Sequence, residues 1–321
     1  MQGTVPKLAA LSRIHWRDLS ARYALWVTLV LLVVIGQVVS GGVFLEPRNI
    51  VNILAQNSIA GVLAVGQTLV ILTGGIDLSL GSITALSSEA ILMLQNDGPV
   101  WPRVVGLVVG IGCGLINGLL VTIGRVPPFI ATLGMLQVAL GAAYVLTGGY
   151  PIYENAHVSL MFGVDQIGPV PLIVVLWALI NVVAWIILAR TRYGAYIYAT
   201  GGNERASRVS GINTNRVKLF VYVCAGLCAA LAAIISINRL GYTQPTIGDP
   251  LTLASIAPVV VGGTSLFGGV GGVGLTIGGV LIVGILNNLM VLLGVNVYIE
   301  QVVQGIIILL VVFVFIKQKG R

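Results

Sequence analysis

The sequence is a succession of long apolar runs, each close in length to the thickness of a membrane. A helix needs roughly 20 mostly apolar residues to cross the hydrocarbon core of a bilayer. Hydrophobic residues make up 57% of the 321 residues and charged residues only 8%, far below the charge content of a soluble domain. We therefore predict one all-α polytopic membrane domain over residues 1–321, with about ten transmembrane helices. The predicted spans are residues 22–42, 51–72, 78–95, 104–123, 128–147, 170–189, 218–238, 252–267, 273–293 and 298–316.

The basic residues are distributed unevenly along this ten-span chain. Most of the 17 lysines and arginines fall in the tail 1–21, at Arg125, in the polar loop 190–217 and at the C-terminal end. All of these lie on one side of the membrane if the chain crosses it ten times. By the positive-inside rule this side is cytoplasmic, so both termini are expected in the cytoplasm. The net charge of +7 thus indicates membrane topology and not nucleic-acid binding.

The long external segment, residues 148–169, divides the predicted spans into two sets of five. An odd number of spans places the two halves in opposite orientations, so an inverted repeat of five-helix halves is an arrangement that this count allows. The external segment itself is a candidate lid or docking surface.

Two apolar runs contain glycine-rich polar interruptions, at Thr73–Ser79 and Val261–Gly269. Glycine pairs permit turns that other residues resist, and irregular backbone at membrane depth occurs only where protein or water surrounds it. We interpret these interruptions as hinges. The predicted hinge residues are Gly74, Gly75, Gly262 and Gly263.

Asp77 is the most unusual residue of the first interruption, because a carboxylate at the bilayer centre costs about 3 kcal/mol on insertion scales. One interpretation is that Asp77 caps a helix beginning at Leu78 near the cytoplasmic surface. Another is that it lines a substrate path, and a third is that it couples transport to an ion or a proton.

Uncharged amide side chains are more frequent in the spans than carboxylates. Amides donate and accept hydrogen bonds without net charge, which suits the passage of a neutral polyhydroxylated solute. Hydrogen bonding between helices is the alternative role for each of them. With Asp77, the substrate-path candidates are Asn57, Gln67, Gln137, Asn287 and Asn288.

Glycines recur every four residues in the fourth span, at Gly106, Gly110, Gly114 and Gly118. This spacing places a groove along one helix face where another helix can approach closely. Close helix packing and the lining of a substrate path are both compatible with it.

The segment RTRYGAYIYATGGNERASRVSGINTNRVK, residues 190–218, is the one long polar interruption of the chain. Asn203 is a good helix N-cap, Glu204 suits the positive end of a helix, and Gly211 is a natural residue with which to end one. A helix of about two turns is marginal alone and needs packing partners, so we expect a docking element here. Its candidate residues are Gly202, Asn203, Glu204, Arg205, Ala206, Arg208 and Gly211, although Arg205 and Arg208 also fit ordinary positive-inside charge.

No catalytic constellation is visible in the sequence. His15 lies in the predicted cytoplasmic tail and His157 in the external segment, so they cannot meet. None of the four lysines follows a glycine, which excludes a phosphate-binding P-loop in this chain. Cys224 and Cys228 share a helix face without His or carboxylate neighbours, which argues against metal binding. We expect a protein that is not an enzyme and binds no metal or cofactor itself.

Four motifs resemble a known family over nearly the whole chain. TGGIDLSLGS at 73–82, PPFIATLGM at 127–135, YATGGNERASRVSGIN at 198–213 and VVVGGTSLFGG at 259–269 are similar to the ribose-type permease subunits of bacterial ATP-binding cassette importers. The resemblance implies the membrane channel of a monosaccharide importer, for ribose or a similar pentose or hexose, in the bacterial cytoplasmic membrane.

The same resemblance implies partners. They are a second permease copy, most simply in a homodimer, a cytoplasmic ATPase that binds ATP and Mg²⁺, an extracytoplasmic sugar-binding protein and the surrounding lipid. It also implies that Gly202–Ile212 contacts the ATPase. The alternatives are a permease for another small polar solute, such as an autoinducer, and an ion-coupled secondary transporter.

Overall fold

The computed structural model describes residues 16–155 and 166–319. Twelve α-helices dominate these two ranges. They are α1 (Trp16–Val39), α2 (Pro47–Leu72), α3 (Leu80–Met93), α4 (Trp101–Thr122), α5 (Pro128–Thr147), α6 (Leu172–Arg190), α7 (Arg192–Gly202), α8 (Glu204–Val209), α9 (Thr214–Leu240), α10 (Asp249–Val261), α11 (Val273–Leu292) and α12 (Val297–Lys319). Four strands of two residues each occur outside the helices: β1 (Ile152–Tyr153), β2 (Gln166–Ile167), β3 (Val170–Pro171) and β4 (Tyr242–Thr243).

Each of the ten predicted spans overlaps one helix. Within the described ranges, six helices (α2, α4, α5, α6, α9 and α11) are long and apolar enough to cross a membrane by themselves. Shorter apolar helical stretches are Ala24–Val39 within α1, Leu80–Met93, which is α3, and Pro245–Val261, where a 3₁₀ turn (Pro245–Gly248) leads into α10. The architecture is therefore an all-α polytopic membrane protein, while the count of ten and the inverted halves stay predictions. The helix α1 already begins at Trp16, inside the predicted tail.

The span predicted at 252–267 differs most from the structure. The helix α10 ends at Val261, and Gly262 is its C-cap, with its amide N–H bonded to Pro258 O at 2.9 Å. Gly263 follows with φ +99°, which glycine adopts without strain, and the chain then runs irregularly to α11. The glycine-rich interruption at Val261–Gly269 stands at this end, but the apolar Leu266 and Phe267 within it led the predicted span to extend to residue 267.

Three of the four periodic glycines of α4 pack against α9, while Gly106 packs against Ile91 of α3. A Cβ atom on Gly110 would lie 2.6 Å from Gly226 O and 2.7 Å from the Ala230 side chain. Gly114 and Gly118 face Tyr222 and Leu219 in the same way. Close helix packing, one of the two interpretations of this spacing, thus describes what these glycines do in the structure.

Replacing Gly110 with alanine is expected to destabilise the α4–α9 contact, because the added methyl group has no room. Overpacking of this kind costs about 1–3 kcal/mol. Gly112 on the same helix is the matched control, since a Cβ there meets nothing within 4 Å. Thermal unfolding of the detergent-purified protein should show a lower midpoint for Gly110→Ala and an unchanged one for Gly112→Ala. Equal midpoints for the two variants would contradict this packing.

The predicted external segment 148–169 is held to the ends of α3 and α9 where the structure describes it. Strand β1 pairs with β4, with Ile152 opposite Thr243. The side chain of Gln95 donates to Tyr153 O at 3.2 Å and accepts from the Asn155 amide at 2.8 Å. Residues 156–165, with His157, and the tail residues 1–15, with His15, lie outside the described residues.

Candidate functional site

The turn between α2 and α3 carries a buried carboxyl group. Asp77 is fully buried, and its Oδ1 accepts hydrogen bonds from the amide and the hydroxyl of Ser79 at 2.8 and 2.6 Å. Asn117 of α4 donates to Ser79 Oγ at 2.9 Å and, at 3.4 Å, to Asp77 Oδ2. Helix α3 begins at Leu80 after Ser79, so Asp77 does not cap a helix starting at Leu78. It organises the polar turn that precedes α3.

Gln67 and Tyr222 complete the surroundings of this turn. The Gln67 carboxamide, oriented to suit its neighbours, pairs with both the main-chain oxygen and nitrogen of Asp77, at 3.1 and 3.2 Å. The Tyr222 hydroxyl has no hydrogen-bond partner among the described residues and lies against Gly75, where a Cβ would be 2.8 Å away. The structure thus brings Gln67, Asp77 and the predicted hinge residue Gly75 together.

Three glycine-containing segments meet directly beside this turn, and we call their meeting point the glycine junction: Leu72–Gly74, Gly201–Gly202 and Gly268–Gly269. The Gly269 amide donates to Leu72 O at 3.0 Å. A Cβ on Gly201 would collide with Leu72 O and lie 2.6 Å from the Gly269 nitrogen. A Cβ on Gly268 would lie 2.8 Å from the Gly74 nitrogen. These backbones are too close for any side chain to fit between them.

The short helix α8 extends from the junction as an arm. The Asn203 side chain accepts from the Ala206 amide at 2.9 Å, which caps α8, and Gly211 ends it with φ +86°. The cap and the terminal glycine therefore stand where the sequence predicted them. On the other side of the arm, the Tyr198 hydroxyl of α7 donates to Gly271 O at 3.0 Å and ties α7 to the loop before α11.

Ionic contacts fix α8 to the start of α9. Glu204 accepts from Lys218 Nζ at 2.7 Å and from Arg208 Nη2 at 2.8 Å, and Arg208 Nε donates to the Thr214 hydroxyl at 2.8 Å. Partial burial of the Glu204 carboxyl favours its neutral form, but the hydrogen bonds and charges of Lys218 and Arg208 outweigh this and hold the pKa of Glu204 below its ordinary value. Arg205 stays exposed. At neutral pH these charged hydrogen bonds therefore hold the arm to α9. The side chain of Arg205 is left exposed on the arm.

Three other substrate-path candidates lie on α11 or against it, away from the polar turn. Asn288 of α11 and Asn49 of α2 exchange two buried hydrogen bonds, at 2.9 and 3.1 Å. Asn287 accepts from Gln304 at 3.2 Å. Asn57 of α2 donates to Ile53 O at 2.7 Å and packs against Gly284 of α11. These amides make contacts between and within helices.

Gln137 has a different position, because it lies on an outward-facing side of α5. Gly134 and Gly141, one turn away on either side, are open as well, since a Cβ on either meets nothing within 4 Å. A carboxamide in the middle of a spanning helix with no protein around it is unfavourable in lipid.

The carboxylates of the predicted spans do not share one site. Glu89 is fully buried in α3, and neither of its carboxyl oxygens has a hydrogen-bond partner among the described residues. It lies nine residues beyond Leu80, about 14 Å along the helix from the polar turn. Glu300 is in the first turn of α12. Among the described residues there is no group of three His, Cys, Asp or Glu that could hold a metal ion.

Sequence reasoning missed two parts of this site. Ser79 and Tyr222 join the polar turn, and Gly201, Gly268 and Gly269 form the junction. Both glycine pairs, GG at 201–202 and at 268–269, stand in the sequence as visible signals. Nothing in their local spacing shows that they meet each other and Leu72.

The comparison with protein families decides to which class this architecture belongs. Residues 49–312 match the family described as branched-chain amino acid transport system, permease component. The chain belongs to this permease family. The match covers every part of the site, from α2 to most of α12.

Several curated relatives are similar over almost their whole length. The chain is 43% identical to the ribose import permease protein RbsC of Bacillus subtilis, over 96% of this chain and 97% of that protein. It is 44% identical to RbsC of Escherichia coli K12, over 86% and 88% of the two chains. Identity to the fructose import permease protein FrcC of Rhizobium meliloti is 37%, over 89% and 82%. No solved structure gives a significant match.

Proposed function

We propose that this permease is the membrane subunit of an ATP-driven importer that carries a monosaccharide into the cytoplasm, with ribose as the first candidate. The observation that supports it most is the 43% identity to a ribose import permease across 96% of the chain. Other relatives are named for the import of fructose and the transport of D-allose, so the proposed substrate class is monosaccharides. The chain itself is not an enzyme, and a separate cytoplasmic ATPase supplies ATP hydrolysis with Mg²⁺.

Helix α7 and the arm α8 give this function a mechanism. A cytoplasmic ATPase that binds α8 would move Gly202–Gly211, with Glu204 and Arg205, as one body. The Asn203 cap keeps α8 folded, and Lys218 ties Glu204 to α9. The glycine junction then passes that movement to the end of α2, to the loop between α10 and α11 and to the polar turn at Asp77. Gly74 and Gly263, both at positive φ, are the residues best suited to act as hinges, with Gly75 and Gly262 beside them.

We also propose that two copies of this chain form the channel. The outward-facing side of α5 that carries Gly134, Gln137 and Gly141 combines small residues with an uncovered amide, which is the pattern of a helix–helix interface in membranes. When two such faces pair across a twofold axis, they shield Gln137 from lipid. Its amide then lies at the seam between the two copies, where a hydroxylated solute can reach it.

Oxidative cross-linking tests this seam. In a background with Cys113, Cys224 and Cys228 replaced by alanine, Gly141→Cys should form a disulfide-linked dimer in native membranes. Gly112→Cys is the matched control, since its Cβ is equally open but lies on α4. A monomer for Gly141→Cys under oxidation, or equal dimer for both variants, would contradict the proposed seam.

The basic bias supports a cytoplasmic location for both termini and for α7–α8. The opposite face, with β1 and β4, then meets the extracytoplasmic sugar-binding protein. Both placements follow from the positive-inside rule, and the chain is a multi-pass protein of the bacterial inner membrane.

Uptake in whole cells tests the substrate class. A strain without its own ribose importer should take up labelled ribose when this chain is expressed with its ATPase and binding protein. Unlabelled fructose and allose added as competitors then separate the candidate sugars. If no monosaccharide is transported but another small polar solute is, the substrate class is wrong although the permease assignment stands.

A further inference from the structure

An apolar groove runs along the outer surface between α6 and α11 and continues to α1. It consists of two adjoining cavities, of about 350 and 400 Å³, that share Trp185, Val273 and Gly274. The groove extends along α6 from Val174 to Ala189. At 1.5 Å per residue this is about 22 Å, more than the roughly 15 Å depth of one leaflet.

The lining of the groove is almost wholly apolar, and small residues create its depth. Ala178, Ala189 and Gly274 leave the space, and a Cβ on Gly274 would meet nothing within 4 Å. Asn181 is a polar exception, but its amide nitrogen is used within α6, where it donates to Trp177 O at 2.8 Å. A groove of this length and polarity, open to the bilayer, fits a hydrocarbon chain.

A positive charge stands at one end of the groove. The Arg190 guanidinium lies over the ring of Trp185, 5.8 Å from its centroid, and Trp185 lines both cavities. Arg192 follows at the start of α7, in the region that the basic bias assigns to the cytoplasm. Tryptophan and arginine at this level are typical of the boundary between acyl chains and headgroups.

From this arrangement we propose a binding site for an anionic phospholipid of the cytoplasmic leaflet. One acyl chain occupies the groove between α6 and α11, and the phosphate-bearing headgroup lies beside Arg190. Basic pockets between transmembrane helices on the cytoplasmic side bind anionic headgroups by the same combination of charge and apolar surface. The site adjoins Tyr198 and Gly271, so its occupant also contacts the segment that ties α7 to α11.

Tryptophan fluorescence gives a direct readout, because Trp26, Trp177 and Trp185 line the groove. With Trp16 and Trp101 replaced by phenylalanine, the full chain is reconstituted into vesicles of phosphatidylcholine and phosphatidylglycerol in which one of the two lipids carries brominated acyl chains. Brominated phosphatidylglycerol should quench at a mole fraction about fivefold lower than brominated phosphatidylcholine, as one favourable basic contact predicts.

Two variants and two controls separate the headgroup from the chain. Arg190→Gln should remove the preference for phosphatidylglycerol, and Gly274→Leu should fill the groove and weaken quenching by both lipids. Arg216→Gln, on α9, and Gly305→Leu, on α12 with an open Cβ, are the matched controls and should behave as the parent protein.

Three results would overturn the proposal. Equal quenching by the two lipids in the parent protein would mean ordinary bilayer lipid. No quenching of the parent protein by either brominated lipid, together with a stable dimer, would mean that a second copy of the chain covers the groove. Loss of the preference in Asn181→Leu would point to a polar ligand at the Asn181 amide instead of an acyl chain. None of these readouts depends on transport activity.

Discussion

Gly201→Ala is expected to lower ATP-driven uptake severely while leaving the membrane domain folded. An alanine methyl group at this position collides with Leu72 O and approaches the Gly269 nitrogen. The methyl group meets only main-chain atoms of other segments, so no flexible side chain can move aside to make room. The glycine junction must therefore open. Since α8 acts on the channel through this junction in the proposed mechanism, ATP hydrolysis and transport should separate.

The adjacent Gly202→Ala is the matched control for this experiment. A Cβ on Gly202 meets nothing within 4 Å. Gly202 is the next residue of the same helix, so its replacement by alanine changes the helix propensity by the same amount. Overpacking of about 1–3 kcal/mol corresponds to a loss of roughly 5- to 150-fold in a coupled equilibrium. Uptake and the stimulation of ATPase by substrate should fall by that amount in the reconstituted Gly201→Ala complex only, while its basal ATP hydrolysis stays unchanged. Equal activity of the two variants, with both monodisperse in size-exclusion chromatography, would remove the junction from the mechanism.

Asp77→Leu is expected to prevent accumulation of folded protein, whereas Asp77→Asn should retain most of the uptake. Leucine leaves the Ser79 amide and hydroxyl without their acceptor in a fully buried turn. Each buried polar group without a partner costs about 1–3 kcal/mol. Asparagine keeps an oxygen for the Ser79 amide and hydroxyl, and it loses only the 3.4 Å hydrogen bond from Asn117, which its amide nitrogen cannot accept.

This pair distinguishes the structural role of Asp77 from ion or proton coupling. A coupling carboxylate cannot be replaced by an amide, so a folded Asp77→Asn protein without any uptake would favour the coupling role. Uptake within about threefold of the parent, with a thermal midpoint only slightly lowered, would support the structural role. Yields of detergent-purified, monodisperse protein and initial rates of labelled ribose uptake provide both measurements.

Local features of this protein could be predicted from the sequence because short-range chemistry determines them. The helix α8 is an example: Asn203 and Gly211 define its two ends through one side-chain acceptor and one positive φ. The apolar runs place the spanning helices for the same reason, since each must bury its own backbone hydrogen bonds in lipid.

Features that depend on distant segments could not be predicted in this way. Asn288 pairs with Asn49 across 239 residues, and the sequence alone offered a substrate path as an equally good role. The glycine junction joins residues near 72, 201 and 269, and no spacing rule connects them. The predicted span 252–267 ran past the end of α10 at Val261, because the apolar Leu266 and Phe267 lie within the glycine-rich interruption that follows the helix.

The most direct test of ATP-driven sugar import is transport in proteoliposomes that contain this permease, its ATPase and the binding protein. With ribose-loaded binding protein outside, as in the periplasm, ATP and Mg²⁺ must be supplied on the face that carries α8. We predict ribose accumulation inside only with hydrolysable ATP, and no ATPase activity from the permease alone. Accumulation driven by a proton or sodium gradient without ATP or the ATPase would contradict ATP-driven import and identify a secondary transporter.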